Sequence, residues 1–295
     1  MTTLIFFLSG SLRTMIGQRD DGSRFEFGLL LVANLLPLVG YVALDWAFVT
    51  VVQLYCLDAI GLLVAYGVAA TFARPGILVD ERGETHLPVA GGDWSGDSRA
   101  VTVRSSLPPI RPRNLRAVVP TVVAFAFFVV IPAGIVLTTR ATSGSGRRPR
   151  TPVEPFLSAL SAFASPLVLG TGLALVAVHL FVVPRRYFRR GEHERTSAYV
   201  TLERAARFVP IYVGTVVVGF VAFLLTLALV GLVAPDPVVE QVELVLLLGG
   251  FYATKMGLEW LRFRAEASAD RDGFAGWFVP TDPHAESEEP TPRSG

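Results

Sequence analysis

Residues 25–44, FEFGLLLVANLLPLVGYVAL, and, after Asp45, residues 46–72, WAFVTVVQLYCLDAIGLLVAYGVAATF, decide the class of fold. About 20 apolar residues, rising 1.5 Å each, cross the ~30 Å hydrocarbon core of a bilayer. Both runs meet that length, and the single residue between them makes them a tight helical hairpin. Four further runs follow at 115–138, 153–183, 208–233 and 238–261. The fourth is long enough to require a tilt, a bend at Pro166 or a partly interfacial course. An all-α, polytopic integral membrane protein built as a bundle of six transmembrane helices is therefore expected. Composition agrees: 52% of the 295 residues are hydrophobic and 17% charged, against about 25% charged in soluble domains.

Formal net charge is +1, which points away from a nucleic-acid partner, but the basic residues are unevenly distributed. Three arginines precede the first run, seven lie between Arg74 and Arg116, seven between Arg185 and Arg207, and four follow the last run. The turn after the first run and the segment 234–243 have none, and four lie between Arg140 and Arg150. Basic residues collect on the cytoplasmic side of membrane proteins, so both termini and the two arginine-rich segments are placed inside a cell membrane. The expected organisation is an N-terminal cytoplasmic arm (1–24), a membrane domain (25–262) with a cytoplasmic loop (74–114), and a disordered cytoplasmic tail (263–295). Short extended pieces at 76–80 and 99–104 make a hairpin in that loop conceivable. The tail is too polar and proline-rich to bury a core, with Phe274, Trp277 and Phe278 at headgroup level. The apolar stretch Leu4–Leu8 lacks preceding Arg or Lys and reads as an interfacial or frayed arm rather than a secretory signal.

Ionisable residues inside a span cost roughly 2.5–3.5 kcal/mol each on insertion scales and usually face protein partners. Asp58, Lys255 and Glu259 are the ones singled out. Asp58 is thirteen residues past Asp45 and Lys255 twelve past Glu243, which puts both about 18–20 Å below the outer interface. Asn34 comes to about 16 Å by the same count. A polar cluster of Asn34, Asp58 and Lys255 is inferred, with Tyr55 beside Asp58 and with Tyr252, Lys255 and Glu259 on one helical face. Such a cluster acts either as glue between helices or as a site for an ion, proton or polar solute, and the first is preferred here. Glu259 is read as reaching toward the interface beside Arg262, and His179 as an interfacial histidine before Pro184-Arg185-Arg186. Pro37, Pro132 and Pro166 are read as bends.

The lone cysteine, Cys56, excludes an intrachain disulfide and a multi-thiolate metal site. Neither a His-Glu-x-x-His pattern nor a serine nucleophile with a matched histidine occurs, so no cofactor, metal or catalytic residue is assigned. The leading expectation is a non-enzymatic scaffold or regulatory membrane protein, with the lipid bilayer as its medium and anionic lipid at the arginine-rich segments. The alternative is a small transporter or ion-coupled carrier using Asp58 and Lys255. An enzyme would need Tyr55, Asp58 and Lys255 presented together in a cavity. Protein partners and oligomeric state are left open.

The run Asn34-Leu-Leu-Pro-Leu-Val-Gly40, then Trp46, then Leu54-Tyr55 with Asp58, and Lys255 followed four residues later by Glu259, resembles the uncharacterised membrane family termed domain of unknown function 6498. The family pattern sets a tryptophan after the tyrosine and a Glu-Asn pair where Asp58 and Ala59 stand here. The resemblance implies a polytopic protein of prokaryotes, often haloarchaeal, with no established activity, and marks Asn34, Asp58, Lys255 and Glu259.

Overall fold

The computed structural model describes residues 21–76, 87, 100–102, 105, 108–145, 157, 161, 163–233, 235–246, 250, 252–267, 277, 278 and 280. Nearly all of the N-terminal arm, most of the 74–114 loop, Phe274 and the tail beyond 280 lie outside the described residues, as do the expectations made for them. The elements are α1 (Asp21–Ala43), α2 (Phe48–Thr71), α3 (Pro112–Ser145), α4 (Pro166–Arg189), the short α5 (Glu192–Arg195), α6 (Ala198–Gly231), α7 (Asp236–Val245) and α8 (Ala253–Ala267).

Among the described residues, four helical stretches are long and apolar enough to cross a membrane: Phe25–Ala43, Val49–Thr71, Pro112–Ile131 and Pro166–Arg189. The expected runs 208–233 and 238–261 fall on α6 and on α7 with α8, outside these four. The last run is also not one regular helix. Leu246, Gly250 and Tyr252 are π-helical, a wider turn that re-phases the chain just before Lys255.

α2 is the central element. Val51, Val52, Leu54, Tyr55, Ala59, Leu62, Leu63, Ala65, Tyr66, Ala69 and Ala70 are all buried and cover about half of the helix, and Gln53 and Cys56 extend the buried surface beyond that half. The helices around it turn apolar residues outward: Val32, Leu36 and Val39 on α1, Val119, Val123 and Phe127 on α3, Leu169, Leu173 and Phe181 on α4. A protein with apolar side chains on its exterior and ionised ones inside is matched to lipid rather than water.

Two glycines let α4 lie parallel and close to α2. A Cβ on Gly61 would stand 3.0 Å from the Val176 Cα, and one on Gly172 would stand 2.3 Å from the Leu57 Cδ1. Membrane helices gain little from mutual apolar burial, because lipid tails are equally apolar, so small residues that admit close packing decide which helices associate. The α1–α2 turn uses the same device. Asp45 adopts a left-handed conformation (φ 53°) and the Trp46 indole folds over Gly40, whose missing side chain leaves it room. At the other end of α2 the fully buried Asn114 donates through Nδ2 to the carbonyls of Ala70 (3.1 Å), Thr71 (3.3 Å) and Ala73 (2.9 Å). The end of a helix leaves carbonyls short of intrahelical donors, and one amide from α3 bonds three carbonyls at and just past this end, beside the Ala73 and Arg111 amides that donate to Ala70 and Thr71.

Three further features differ from the sequence reading. Pro166 does not bend a helix running from 153. It opens α4, with Ser165 as N-cap accepting from the Val168 amide at 3.3 Å, since proline at the first helical position forfeits a donor that has no partner anyway. In the loop, Val101 pairs antiparallel with Ile110, through bonds of 2.8 and 2.9 Å, whereas the 76–80 piece lies almost wholly outside the described residues. The C-terminal part is not entirely without structure, because α8 continues to Ala267 and Phe278 is buried against Phe208 with ring centroids 6.2 Å apart.

Replacing Gly61 by leucine drives a side chain into the Val176 backbone and is expected to cost about 1–3 kcal/mol, the usual range for overpacking. Thermal unfolding in detergent tests this: a melting temperature equal to that of the unsubstituted protein would show that the α2–α4 contact does not depend on the missing side chain.

Candidate functional site

α2, α4 and α8 each contribute ionised side chains to one buried chain of contacts. Asp58 lies at mid-length of α2 and is 2% exposed. Its Oδ1 is 2.7 Å from His179 Nε2 on α4, and its Oδ2 is 2.6 Å from Lys255 Nζ on α8. Lys255 also reaches Glu259 Oε1 at 2.6 Å, and Glu259 Oε2 accepts from Arg262 Nη2 at 2.6 Å. Arg262 in turn donates to the Tyr66 hydroxyl (3.2 Å) and lies 3.5 Å from Glu266 Oε1, which also accepts from Tyr66. Glu266 Oε2 ends the sequence at Arg186 Nη1 on α4, 2.9 Å away. Lys255, Glu259, Arg262 and Glu266 are spaced four, three and four residues apart, so they form a single stripe down α8.

The aromatic residues of α6 complete the enclosure. Tyr212 and Phe208 stack 5.9 Å apart, the Lys255 ammonium stands 4.8 Å from the Tyr212 ring centre, and Arg262 stands 5.5 Å from that of Phe208. Ring faces carry negative quadrupole density and stabilise desolvated cations. Tyr55 ties the neighbouring helices together without joining the ion chain: its hydroxyl donates to the backbone oxygen of Asn34 on α1 (3.1 Å), and its own carbonyl accepts from Tyr212 (3.3 Å). Asn34 is buried, and its side-chain amide donates to the Leu30 carbonyl at 2.9 Å. Thus Lys255 bridges Asp58 and Glu259 directly, while Asn34 is bonded to Tyr55 through its backbone oxygen and turns its side chain to its own helix. Tyr252 is half-buried at the π-helical turn. Glu259 is itself 2% exposed and bonded on both sides, so it does not reach to the interface.

His179 is the residue whose position the sequence reading misplaced. It is 1% exposed and sits at mid-length of α4, on a buried stripe with Val168, Gly172, Leu175, Val182 and Arg186. A helix counted from 153 to 183 puts it near the end, whereas one running from Pro166 to Arg189 puts it in the middle. The Ser165-Pro166 pair, a capping signature, was the available signal. Glu26 was also passed over; it is 3% exposed and pairs with Arg189 at 2.9 Å.

Asp58, His179 and Glu259 offer donor atoms within 4.8 Å of one another, a spacing that suits a cation. The protein supplies that cation itself, since Lys255 Nζ lies 2.6 Å from both carboxylates. With its positive charge internal, the cluster can hold helices in register or pass a proton between neighbours, and its donor set does not require a metal.

At the far end of the chain of contacts is a small cleft, partly open to solvent, lined among others by Tyr66, Arg186, Glu192, Arg204, Arg262 and Glu266. Burial alone would push the Glu266 carboxyl up. Arg186, Arg262, the Tyr66 hydroxyl and Arg204 outweigh it and hold the group below its usual range. Burial would likewise lower the Arg204 guanidinium, but Glu192, with which it pairs, and Glu266 hold it above its ordinary value.

The class these features define is an all-α protein with four helices long and apolar enough to cross a membrane, among the described residues, and a buried ion chain at its centre. The chain belongs to the family of unknown function DUF6498, whose model matches residues 17–271. No curated protein and no solved structure matches it.

A group whose folded pKa is depressed contributes stability that is complete above its unfolded value, near 4.3 for glutamate, and is lost as pH falls through the folded value. Glu266 therefore makes the protein acid-sensitive. The melting temperature is expected to fall as pH drops from 5 toward 3, and Glu266→Gln to flatten that fall; identical profiles for both proteins would contradict the assignment.

Proposed function

We propose that this protein is a non-enzymatic, polytopic cell-membrane protein whose buried ion chain is an architectural clamp, serving a scaffold or regulatory role. One observation carries the reading: a single carboxylate, Asp58, is held on one side by His179 of α4 and on the other by Lys255 of α8, so three helices meet at one group. The partners are at 2.6–2.7 Å, all of them 2% exposed or less, and enclosed by the rings of Phe208 and Tyr212. A substrate would have to displace interactions already made. Six spans and cytoplasmic termini are part of the same proposal. α6 is 34 residues long, about 51 Å at 1.5 Å per residue, and exposes Val218, Val221, Leu225 and Leu229 on its later half, as a lipid-facing fifth span would. α7 and α8, joined through the π-helical stretch, would form the sixth.

The second reading, an ion- or proton-coupled carrier, is favoured by the continuity of the same contacts from His179 to Glu266, which borders the cleft. Thermal unfolding of Asp58→Asn, Lys255→Met and the double variant separates the two. Breaking a buried pair from one side typically costs about 3–5 kcal/mol, whereas removing both charges is far milder. For a clamp, each single variant melts well below the unsubstituted protein and the double variant recovers most of the loss. Unchanged melting of both single variants, accompanied by altered proton or cation flux in proteoliposomes, would sink the clamp and favour the carrier.

Orientation has its own test. Cysteines introduced at Ser9 and Ser287, read against the buried Cys56, are expected to resist a membrane-impermeant maleimide in intact cells and to react after permeabilisation. Labelling of either one from outside would overturn the cytoplasmic placement of that terminus.

A further inference from the structure

The cleft where α4, α6 and α8 meet holds more positive charge than its carboxylates neutralise. The chain from Asp58 to Arg186 balances three cations, Lys255, Arg262 and Arg186, with three carboxylates, Asp58, Glu259 and Glu266, whereas beside it two guanidiniums, Arg190 and Arg204, share the single carboxylate of Glu192. One positive charge is left over there, shared between Arg204, whose side chain is 15% exposed, and Arg190, at 36%. A buried charge without a counterion is costly, so a permanent excess calls for an anion. Two guanidinium nitrogens at the cleft, Arg186 Nη2 and Arg204 Nε, are buried and have no hydrogen-bond partner among the described residues. One other nitrogen of each is engaged: Arg186 Nη1 donates to Glu266, and Arg204 Nη1 to Glu192. The carboxylates thus fix both planar forks and leave donors over. Arg190 reports the same imbalance, because burial and the adjacent Arg186 push its guanidinium below the ordinary value despite Glu192 and Glu266.

From this geometry we infer that the cleft is a binding site for a phosphate oxyanion, received by Arg186 and Arg204. Guanidinium groups pair with phosphate through charge-assisted bonds of matched planar geometry. Arg186 lies in the last turn of α4, the same end of the helices as the arginine-rich segments. The phosphate is therefore either the phosphodiester of a lipid headgroup or a free phosphate from solution. The inference leans on the membrane reading above only for the lipid source, and binding of inorganic phosphate tests the site without it.

The experiment uses the full chain in detergent after delipidation. Three probes are titrated: dioctanoyl phosphatidylglycerol, dioctanoylglycerol as its phosphate-free counterpart, and inorganic phosphate against chloride at matched ionic strength, with melting temperature and calorimetric affinity as readouts. Binding of phosphatidylglycerol at least tenfold tighter than dioctanoylglycerol supports the site. If inorganic phosphate also raises the melting temperature above the chloride control, the site is open to solution; if it does not, the lipid headgroup is the source. Arg204→Gln is expected to weaken binding at least tenfold. Should it fail to fold because Glu192 loses its partner, the paired variant Arg204→Gln/Glu192→Gln removes both charges and gives the same readout at unchanged net charge. Arg185→Gln, at an exposed arginine outside the cleft, is expected to bind like the unsubstituted protein. The proposal is overturned if neither phosphate probe exceeds its control, if the paired variant binds undiminished, or if Arg185→Gln loses as much affinity as Arg204→Gln.

Discussion

The rest of the structure depends on the Asp58 carboxylate, an ionised group at mid-length of the most enclosed helix, where water cannot stabilise it. A carboxylate there must be met by donors on every accessible side. Two are supplied from different helices, the imidazole of His179 and the ammonium of Lys255. Lys255 then needs more than half of a carboxylate to balance it, and Glu259 provides the second half; Glu259 in turn engages Arg262, and Arg262 engages Glu266 with Tyr66. Each member answers the desolvation of the one before it, and the sequence ends only where the Arg186–Glu266 pair meets the partly open cleft.

This requirement explains placements that otherwise look unrelated. His179 reaches Asp58 only if α4 lies against α2, which Gly61 and Gly172 permit. Lys255 reaches the same carboxylate only if α8 presents it at the right angle, and the π-helical turn at Tyr252 sets that phase immediately before the stripe begins. Tyr55, three residues from Asp58, secures α1 and α6 around the pair through backbone oxygens, so that two more helices are tied at the same level. Asn114 closes the far end of α2 in the same manner, with one side chain serving several carbonyls.

Much of this was legible in the residues and some was not, for identifiable reasons. Apolar run length marks a candidate span directly, because the bilayer imposes it, so the first two helices were readable to within a few residues, while the third run, 115–138, falls inside the longer α3. Depth counting brought Asp58 and Lys255 to one level because an α-helix converts residue number into distance. The same arithmetic misplaced His179, since it started from the wrong residue: an apolar segment preceding Ser165 was counted as part of α4. Asn34 shows a different limit. Level is not azimuth, and a helix that places its amide at the right depth still turns it toward its own Leu30 carbonyl. The cleft was beyond reach altogether. Arg186, Arg204 and Glu266 read as ordinary loop or interfacial charges, and only the packing of α4, α6 and α8 reveals that they share one buried space.

Why an ion chain should stand where leucines would also fit follows from the solvent. In water, an apolar core distinguishes the right helix contact from exposure. In lipid it does not, because an apolar face is satisfied equally by a neighbouring helix or an acyl chain. A carboxylate is satisfied by neither lipid nor a displaced helix, only by a donor at hydrogen-bond distance. On the proposed clamp reading, the ion chain specifies which helices meet and in what rotation, something the apolar faces of α1, α3 and α4 have no means of encoding. The same logic places the wholly enclosed pairs at mid-length and leaves the half-satisfied guanidiniums of Arg186 and Arg204 at the open end. An imbalance that would be untenable beside Asp58 is sustainable where solvent, or an anion from it, can reach.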